Sequence, residues 1–476
     1  MRKSCVWVVF FLVVFVLPGE QSTQAELAGS WAGAISIMGQ ELKIIVHFAA
    51  SGGAPKWTID IPQQGATGLP LSNMKWEGDK VHFELNAGPG VAVFDGVLSQ
   101  ETIRGDFVQA GIKATFSITK GVAKLPEESA KQKKEEPLPY LEEEVSLASG
   151  EIPLAGTLTI PEGKGPFPAV IMITGSGTQN RDEEIFGFKP FRIIADHLTR
   201  KGIAVLRCDD RGFGSQGAPG RYTSVDFASD VIAQANYLRG RKEIRQDKIG
   251  LFGHSEGGII APLASQKTPF AFMVLMAGTA VKGEEVLLEQ VALIARADGA
   301  SEAEIGEALA SQKKVYSLMG SPAGEKEIEK MVADEVRKSL DKMTPEQKQA
   351  VSDPDAYVKN VTAAQIATFN SPWFRYFLAH DPAPALEAVP CPVLALFGEK
   401  DVQVSAKQNL PAMEKAFQKG GNKDVTFKVF PQANHLFLKA KTGSPSEYAS
   451  LEKVFVPDFL DTISSWILEK TKSNEK

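Results

Sequence analysis

The chain has 476 residues, of which 43% are hydrophobic and 23% are charged, the composition of ordinary globular domains. This composition excludes a wholly disordered chain, a collagen-like chain and a polytopic membrane protein. The formal net charge of −6 argues against a nucleic-acid partner, because such proteins present a basic surface. Three cysteines are too few for a disulfide framework or a cysteine-rich zinc site.

The N-terminal 25 residues have the pattern of a secretory signal peptide. Arg2 and Lys3 precede the apolar run Val6–Leu17, and Thr23-Gln24-Ala25 is a small-x-small cleavage pattern. The alternative, an uncleaved anchor helix, would need a longer run, because a membrane span takes ~20 apolar residues. We therefore expect residues 1–25 to be removed, leaving a secreted or periplasmic protein with no stable membrane span.

Residues 26–121 predict a small all-β domain. Short segments rich in β-branched and aromatic residues alternate there with glycine-rich turns, which is typical of an antiparallel sandwich or barrel. The predicted strands are Ala34–Ile37, Lys43–Phe48, Trp57–Ile61, Val81–Leu85, Val91–Phe94 and Thr115–Ile118. His47 and His82 are isolated in these strands, so we expect half-buried sheet residues rather than ligands.

Residues 122–143 predict a linker. The stretch Lys124–Glu136 is highly charged, lacks aromatic residues and contains a proline, as solvated linkers do. It would tether the β-rich accessory domain to the rest of the chain; a charged surface loop is the alternative.

Residues 144–476 predict an α/β domain on a mostly parallel sheet, because strand-like and helix-like segments alternate. The predicted strands are Leu154–Ile160, Ala169–Ile173, Ala204–Arg207, Ile249–Phe252, Phe272–Met276, Val393–Phe397 and Val425–Phe430. The predicted helices are Phe191–Arg200, Ser224–Leu238 and Pro457–Glu469.

Ser255 is the candidate nucleophile. The segment 253–257, Gly-His-Ser-Glu-Gly, matches the G-x-S-x-G pattern of a nucleophile elbow. The pattern alone is weak, but the predicted strand Ile249–Phe252 runs into it and the helix-like Gly258–Ala264 runs out of it. An elbow requires this setting, because the sharp turn lifts the serine hydroxyl above the sheet and the helix N-terminus stabilises negative charge. A tight turn with an idle serine is the alternative.

Asp401 and His435 are the candidate acid and base. His435 follows the last predicted strand and Asp401 follows the strand before it, so both come at carboxyl ends of strands, where catalytic groups gather in open α/β sheets. The order Ser255, Asp401, His435 is that of α/β hydrolases. Glu399 is the alternative acid.

Two backbone amides are expected to stabilise a developing oxyanion. One is the N–H of Glu256, directly after the nucleophile. The other comes from the glycine-containing loop after Ala169–Ile173, where Ser176 N–H is our prediction and Gly177 is the near alternative.

Five segments carry a resemblance to a known family. They are Thr174–Gly177 with Arg181-Asp182, Asp209–Ser215, the GHSEGG at 253–258, the GEKD at 398–401, and Asn434-His435. Residues 144–476 resemble serine esterases of the α/β-hydrolase family, close to secreted bacterial carboxylesterases with a β-rich N-terminal domain. The resemblance implies hydrolysis of small carboxylic esters through an acyl-serine intermediate, without a cofactor or metal. Two departures are Thr174, where many relatives have histidine, and Pro262 inside the helix after the elbow.

The segment 212–217 also matches G-x-G-x-x-G, the dinucleotide-binding pattern. That fingerprint opens a helix directly and is followed about 20 positions on by an acidic residue. Here Ala218-Pro219-Gly220 would break such a helix, so we expect a tight loop.

An insertion over about 282–380 should form a helical cap. Its helix-like segments are Leu287–Ala297, Glu302–Leu318, Lys326–Leu340 and Thr344–Val351. In the resembling family an insertion at this point covers the active site. The aromatic residues Trp373, Phe374, Tyr376 and Phe377 close it, either as part of a substrate pocket or as the core of the cap.

Two other functions remain open. A serine peptidase of the acyl-aminoacyl or prolyl-oligopeptidase type uses the same elbow and residue order. A non-catalytic binding protein on a hydrolase scaffold would not need the complete set of Ser255, Asp401 and His435. Dehalogenases and epoxide hydrolases are excluded, since they need an aspartate where Ser255 stands.

Overall fold

The computed structural model describes residues 27–37, 40–49, 56–61, 66–86, 90–121, 138–213 and 220–472. The expected signal peptide, residues 122–137 of the expected linker and residues 214–217 of the glycine-rich pattern lie outside these ranges. Within them, no helix is both long and apolar enough to cross a membrane.

The first part of the chain is a closed antiparallel barrel in which each strand pairs with the next and β8 returns to β1. The strands are β1 (Gly29–Ile37), β2 (Gln40–Ala49), β3 (Lys56–Ile61), β4 (Ala66–Glu77), β5 (Lys80–Asn86), β6 (Val91–Ser99), β7 (Thr102–Gln109) and β8 (Ile112–Lys120). Of the two architectures expected, the structure has the barrel, and it adds β4 and β7, which the sequence analysis missed.

Aromatic side chains fill the interior of the barrel. Alternate residues of each strand point inward, as the period of two in a strand requires. Phe83 stacks on Phe94 at 4.6 Å between ring centroids, and Phe48 and Phe116 pack edge-on against Phe83. The barrel therefore encloses a packed core of side chains.

The two barrel histidines are half-buried, as expected, but they are not isolated. His47 Nδ1 lies 2.8 Å from Ser30 Oγ, and its Nε2 lies 2.8 Å from Asp60 Oδ2. His82 Nδ1 lies 2.7 Å from Asp95 Oδ1. Pairing of neighbouring strands brings these partners together across 13 or more residues of sequence.

A mixed sheet of eight strands forms the second part, in the order β16-β15-β14-β13-β11-β12-β10-β9. Strands β11 to β16 are parallel, and β9 and β10 form an antiparallel edge. The strands are β9 (Tyr140–Ser149), β10 (Ile152–Pro161), β11 (Phe167–Ile173), β12 (Ala204–Cys208), β13 (Ile244–His254), β14 (Met273–Met276), β15 (Val393–Gly398) and β16 (Val425–Phe430).

Helices cover both faces of this sheet, which explains why its central strands are continuous apolar runs. Helices α2 (Ser224–Arg239), α3 (Gly257–Ser265) and α11 (Ala406–Gly420) lie on one face. Helices α1 (Pro190–Arg200) and α12 (Phe459–Thr471) lie on the other.

A helical insertion separates β14 from β15. Its helices are α4 (Gly283–Ala297), α5 (Glu302–Leu318), α6 (Pro322–Asp341), α7 (Pro345–Ala350), α8 (Pro354–Asn370), α9 (Pro372–Ala379) and α10 (Ala383–Glu387). Val332 and Val336 of α6 pack with Val358 of α8 in a core of their own. The predicted fold class, a small all-β domain before an α/β sheet with a helical insertion, is confirmed.

The barrel contacts the helical insertion. The turn between β7 and β8 presents the carbonyl of Gly111, which accepts hydrogen bonds from Ser352 Oγ at 3.0 Å and Asp353 N at 3.3 Å. Ile112 forms an antiparallel bridge with Val351. The loop between α7 and α8 is therefore a docking point for the barrel.

Because the barrel is closed and its strands pack tightly, we predict that Gly105 in β7 does not tolerate a larger side chain. A Cβ added at Gly105 would lie 1.9 Å from the carbonyl oxygen of Asp95 and 2.5 Å from Gly96 Cα. We expect Gly105→Ala to lower the free energy of unfolding of the barrel by about 1–3 kcal/mol, because a closely packed backbone must move apart. Denaturant unfolding followed by near-UV circular dichroism measures this.

The matched control is Gly306→Ala in α5, where nothing lies within 4 Å of the added Cβ. Alanine has the higher helix propensity, so this change should be neutral or stabilising. An unchanged barrel transition in the Gly105 variant would contradict the packing argument.

Candidate active site

Ser255 lies in a sharp turn between β13 and α3, with a φ of +53° that non-glycine residues rarely adopt. Backbone hydrogen bonds hold the turn: Ser255 N donates to Met276 O at 2.9 Å, and Gly258 N donates to Ser255 O at 2.9 Å. A Cβ added at Gly253 would lie 2.2 Å from the carbonyl oxygen of Gly257, so the turn requires glycine there. This is the geometry of a nucleophile elbow at the carboxyl end of a central strand.

The loops after β15 and β16 bring Asp401 and His435 together. His435 Nδ1 lies 2.8 Å from Asp401 Oδ2, and the side chains are 7% and 0% exposed. The other oxygen, Asp401 Oδ1, accepts from the amides of Gln403 and Val404 at 2.8 and 2.9 Å. Because Nδ1 faces a carboxylate oxygen, it carries the proton, and Nε2 is left as the basic nitrogen.

Glu399, the alternative acid, has a different role. Its Oε2 accepts a hydrogen bond at 2.8 Å from the amide of Gln432 in the loop after β16. Glu399 thereby fixes the loop that leads to His435. The carboxylate bonded to the His435 imidazole is that of Asp401.

Ser255 and His435 lie on neighbouring loops that are joined through His254. The His254 and His435 rings lie 4.8 Å apart between centroids, and His254 Nε2 donates to the carbonyl oxygen of His435 at 3.1 Å. Among the described residues, no hydrogen bond links the Ser255 hydroxyl to His435. Such catalytic contacts commonly tighten only when substrate is bound.

The two expected oxyanion donors, Ser176 and Glu256, lie on different loops. Their backbone N–H groups donate to no other group in the described part of the chain. The amide of Gly175, by contrast, is occupied, since it donates to Glu183 Oε1 at 2.7 Å. A Cβ on Gly175 would lie 3.2 Å from Ser255 Cβ, so this loop runs directly beside the elbow.

Asp210 fixes the loop that carries Ser176. Its Oδ1 accepts from Thr174 Oγ1 at 2.8 Å, and its Oδ2 accepts from the amide of Gln179 at 2.8 Å. Burial raises the pKa of Asp210 well above its usual value, although both hydrogen bonds oppose this. Thr174 thus anchors this loop to Asp210.

The side chain of Glu256 joins the elbow to the helical insertion. Its Oε1 accepts from Ser224 Oγ at 2.7 Å, and its Oε2 accepts from Trp373 Nε1 of α9 at 2.8 Å. Burial raises the pKa of Glu256 against these hydrogen bonds. Trp373 also stacks on Phe377, with ring centroids 5.7 Å apart. Of the four aromatic residues at the end of the insertion, Trp373 thus contacts the elbow, while Phe374 and Phe377 are buried.

Sequence reasoning missed Glu183, which bonds to His254 beside the elbow. Its Oε1 lies 2.9 Å from His254 Nδ1, although the two residues are 71 positions apart in sequence. The one available signal was its place directly after Arg181-Asp182, which does not distinguish it from other loop acids.

In the described ranges, no group of three or more histidine, cysteine, aspartate or glutamate residues could hold a metal ion.

The chain is similar in sequence to known hydrolases. The family model for "Serine aminopeptidase, S33" matches residues 189–441, a range that contains Ser255, Asp401 and His435. The esterase EstD of Thermotoga maritima is 27% identical over 319 residues, which cover 66% of this chain and 66% of that protein. The 2,6-dihydropseudooxynicotine hydrolase of Paenarthrobacter nicotinovorans is 34% identical over 109 residues, 22% of this chain and 27% of that protein. The chain therefore spans less than two thirds of the length of these curated relatives.

The chain is also similar to two solved structures. A dienelactone hydrolase from Anabaena variabilis has a TM-score of 0.37 and 17% identity, covering 70% of this chain and 96% of that one. A thermophilic esterase from Thermogutta terrifontis has a TM-score of 0.37 and 21% identity, covering 69% of this chain and 100% of that one.

The contrast between Asp401 and Glu399 gives a test that needs no substrate. A fluorophosphonate probe reacts with an activated serine, so its labelling rate at Ser255 reports on the base and its acid. Asp401→Asn should slow labelling by about two orders of magnitude or more, because it removes the charge that stabilises the imidazolium and disturbs its tautomer. Glu399→Gln, the matched amide control, should slow it by less than about fivefold, since a loop hydrogen bond is largely retained. The opposite ranking would assign the acid to Glu399.

Proposed function

The chain belongs to the serine aminopeptidase S33 family of α/β hydrolases, and on that premise we propose that it is a serine carboxylesterase acting on small carboxylic esters. The single observation that carries the proposal is the buried 2.8 Å contact between His435 and Asp401 beside the strained turn of Ser255. The relationship to an esterase across 66% of the chain supports the substrate class.

The proposed reaction proceeds through an acyl-serine intermediate. His435 Nε2 takes the proton of the Ser255 hydroxyl, whose oxygen attacks the ester carbonyl carbon. Asp401 orients His435 and stabilises the imidazolium that forms. The amides of Glu256 and Ser176 donate to the oxyanion, and His435 then protonates the departing alcohol. Water, activated by the same imidazole, releases the acid and restores Ser255.

A second candidate is an aminopeptidase, the activity for which the matching family model is named. Such an enzyme must bind a substrate ammonium group, which calls for a free carboxylate near Ser255. Both oxygens of Glu256 already accept hydrogen bonds, from Ser224 and Trp373. Oε1 of Glu183 accepts from Gly175 and faces His254, and its Oε2, which has no hydrogen-bond partner among the described residues, is buried away from a substrate. This arrangement favours the ester.

Parallel assays on p-nitrophenyl acyl esters and aminoacyl p-nitroanilides test the proposal. We expect turnover of the short esters and far lower kcat/KM on the anilides.

Ser255→Ala should abolish ester turnover with little change in thermal unfolding, because the hydroxyl makes no structural hydrogen bond in the described part of the chain. Ser229→Ala, at an exposed serine of α2, is the control and should keep full activity. Faster cleavage of the anilides would assign the chain to the peptidases.

We propose that the barrel is an accessory domain, and removing it tests that idea. A chain starting at residue 137 keeps the edge strand β9 and loses the contact between Gly111 and the α7–α8 loop. Since that contact lies on the insertion, kcat on a short ester should stay within about tenfold of the full chain. A truncated protein that is folded by circular dichroism but has kcat reduced about a hundredfold would mean that the barrel completes the site.

A further inference from the structure

A second carboxylate–histidine pair lies directly behind the elbow. His254, the residue before Ser255, faces Glu183 Oε1 with its Nδ1 at 2.9 Å. Their side chains are 3% and 1% exposed, so both groups are withdrawn from water. Neither side chain has a part in the proposed acyl transfer.

The contacts of this pair reach three segments of the site. Glu183 Oε1 also accepts from the amide of Gly175, the residue before Ser176, at 2.7 Å. His254 Nε2 donates to the carbonyl oxygen of His435 at 3.1 Å. One hydrogen-bonded chain therefore connects the loop with the expected oxyanion donor, the elbow and the loop with the base.

The hydrogen-bond pattern fixes one of the two ring protons of His254. A backbone carbonyl only accepts, so His254 Nε2 must carry a proton. Glu183 Oε1 accepts from Gly175 and faces His254 Nδ1 at 2.9 Å, so a second ring proton on Nδ1 would make His254 an imidazolium paired with a carboxylate. Burial is the largest single influence and lowers the pKa of His254. The charge of Glu183, the hydrogen bonds to Glu183 and to the His435 carbonyl, and the charge of Asp401 together outweigh burial and raise that pKa above its ordinary value. Glu183 Oε2 is buried and has no hydrogen-bond partner among the described residues.

We propose that Glu183 and His254 form a buried ion pair that positions the Ser176 loop and His435 around Ser255, and that both are positioning residues for the proposed esterase reaction. The pair fixes the distance between the oxyanion donor and the base, which come from opposite sides of the elbow. Because these groups stabilise the transition state more than the bound ester, the pair acts on kcat and leaves KM nearly unchanged. The inference rests on the proposed function.

The full-length variants Glu183→Gln and His254→Ala test the proposal. We expect kcat on a short p-nitrophenyl ester to fall by about a hundredfold, as small displacements of catalytic groups do, with KM within about threefold. Affinity for an alkyl boronic acid, which mimics the tetrahedral intermediate at Ser255, should fall in parallel with kcat/KM. Affinity for the carboxylic acid product should stay unchanged.

Two isosteric variants separate the two ends of the pair. His254→Asn keeps a donor near the position of Nδ1, facing Glu183, and His254→Gln keeps one near Nε2, facing the His435 carbonyl. Each should recover about tenfold in kcat over His254→Ala, because each restores one of the two hydrogen bonds. His197→Gln is the control. His197 lies on α1, and its Nε2 is 2.9 Å from Ser464 Oγ. Replacing this imidazole should leave kcat unchanged.

The charge state is measured on the unmodified protein, so the test does not depend on the folding of any variant. At about pH 8, where an ordinary histidine is neutral, the ¹⁵N shifts of His254 should show both ring nitrogens protonated. A neutral ring would overturn the ion pair. Variants that are folded and keep kcat within about threefold, or that change KM instead, would overturn the positioning role.

Failure of the inference and failure of the proposed function give different results. If Ser255→Ala abolishes ester turnover while the Glu183 and His254 variants stay fully active, only the positioning role is wrong. If the natural chain does not turn over esters, the proposed function is wrong, and the rate of fluorophosphonate labelling at Ser255 then measures the pair without a substrate. Unchanged labelling in the variants would overturn the positioning role in that case as well.

Discussion

The left-handed backbone of Ser255 is the constraint around which the α/β domain is arranged. A non-glycine residue at φ +53° is held there only if its surroundings allow no other conformation. The turn has that support because β13 lies between β11 and β14, and because Ser255 N is bonded to Met276 at the end of β14. The loops after β11, β15 and β16 then surround a point that the sheet itself has fixed, which is how four distant segments meet at one hydroxyl.

Local pattern was sufficient for the elbow and for the loops that carry Asp401 and His435. G-x-S-x-G predicts Ser255 because the turn demands small residues on either side, and alternating strands predict which sheet edge the later loops reach. The bounds of most parallel strands also agree closely, since buried parallel strands are continuous apolar runs. However, β13 begins at Ile244 rather than at Ile249. The edge strand β9 (Tyr140–Ser149) was not predicted, and its first residues had been assigned to the linker. In the barrel, β4 and β7 were missed because each contains glycine, and β4 contains Pro70 as well, which weaken the strand pattern.

Contacts that depend on tertiary structure could not be predicted from the sequence. Glu183 reaches His254 across 71 residues, and Trp373 reaches Glu256 across 117. Neither pair has a characteristic spacing, and single acidic or aromatic residues are common in loops and helices. The same holds for Ser30, His47 and Asp60, which neighbouring barrel strands bring into one hydrogen-bonded row.

The proposed function gives Glu256 two roles, one for its backbone and one for its side chain, and this matters for any redesign of the protein. Its backbone amide is the proposed oxyanion donor beside Ser255, while its carboxylate anchors the indole of Trp373. A graft that replaces the helical insertion must therefore bring its own donor for this carboxylate, or leave a buried charge with one partner fewer. Libraries that vary position 373 and position 256 separately would sample mostly mismatched pairs, whereas joint randomisation would find the compatible ones.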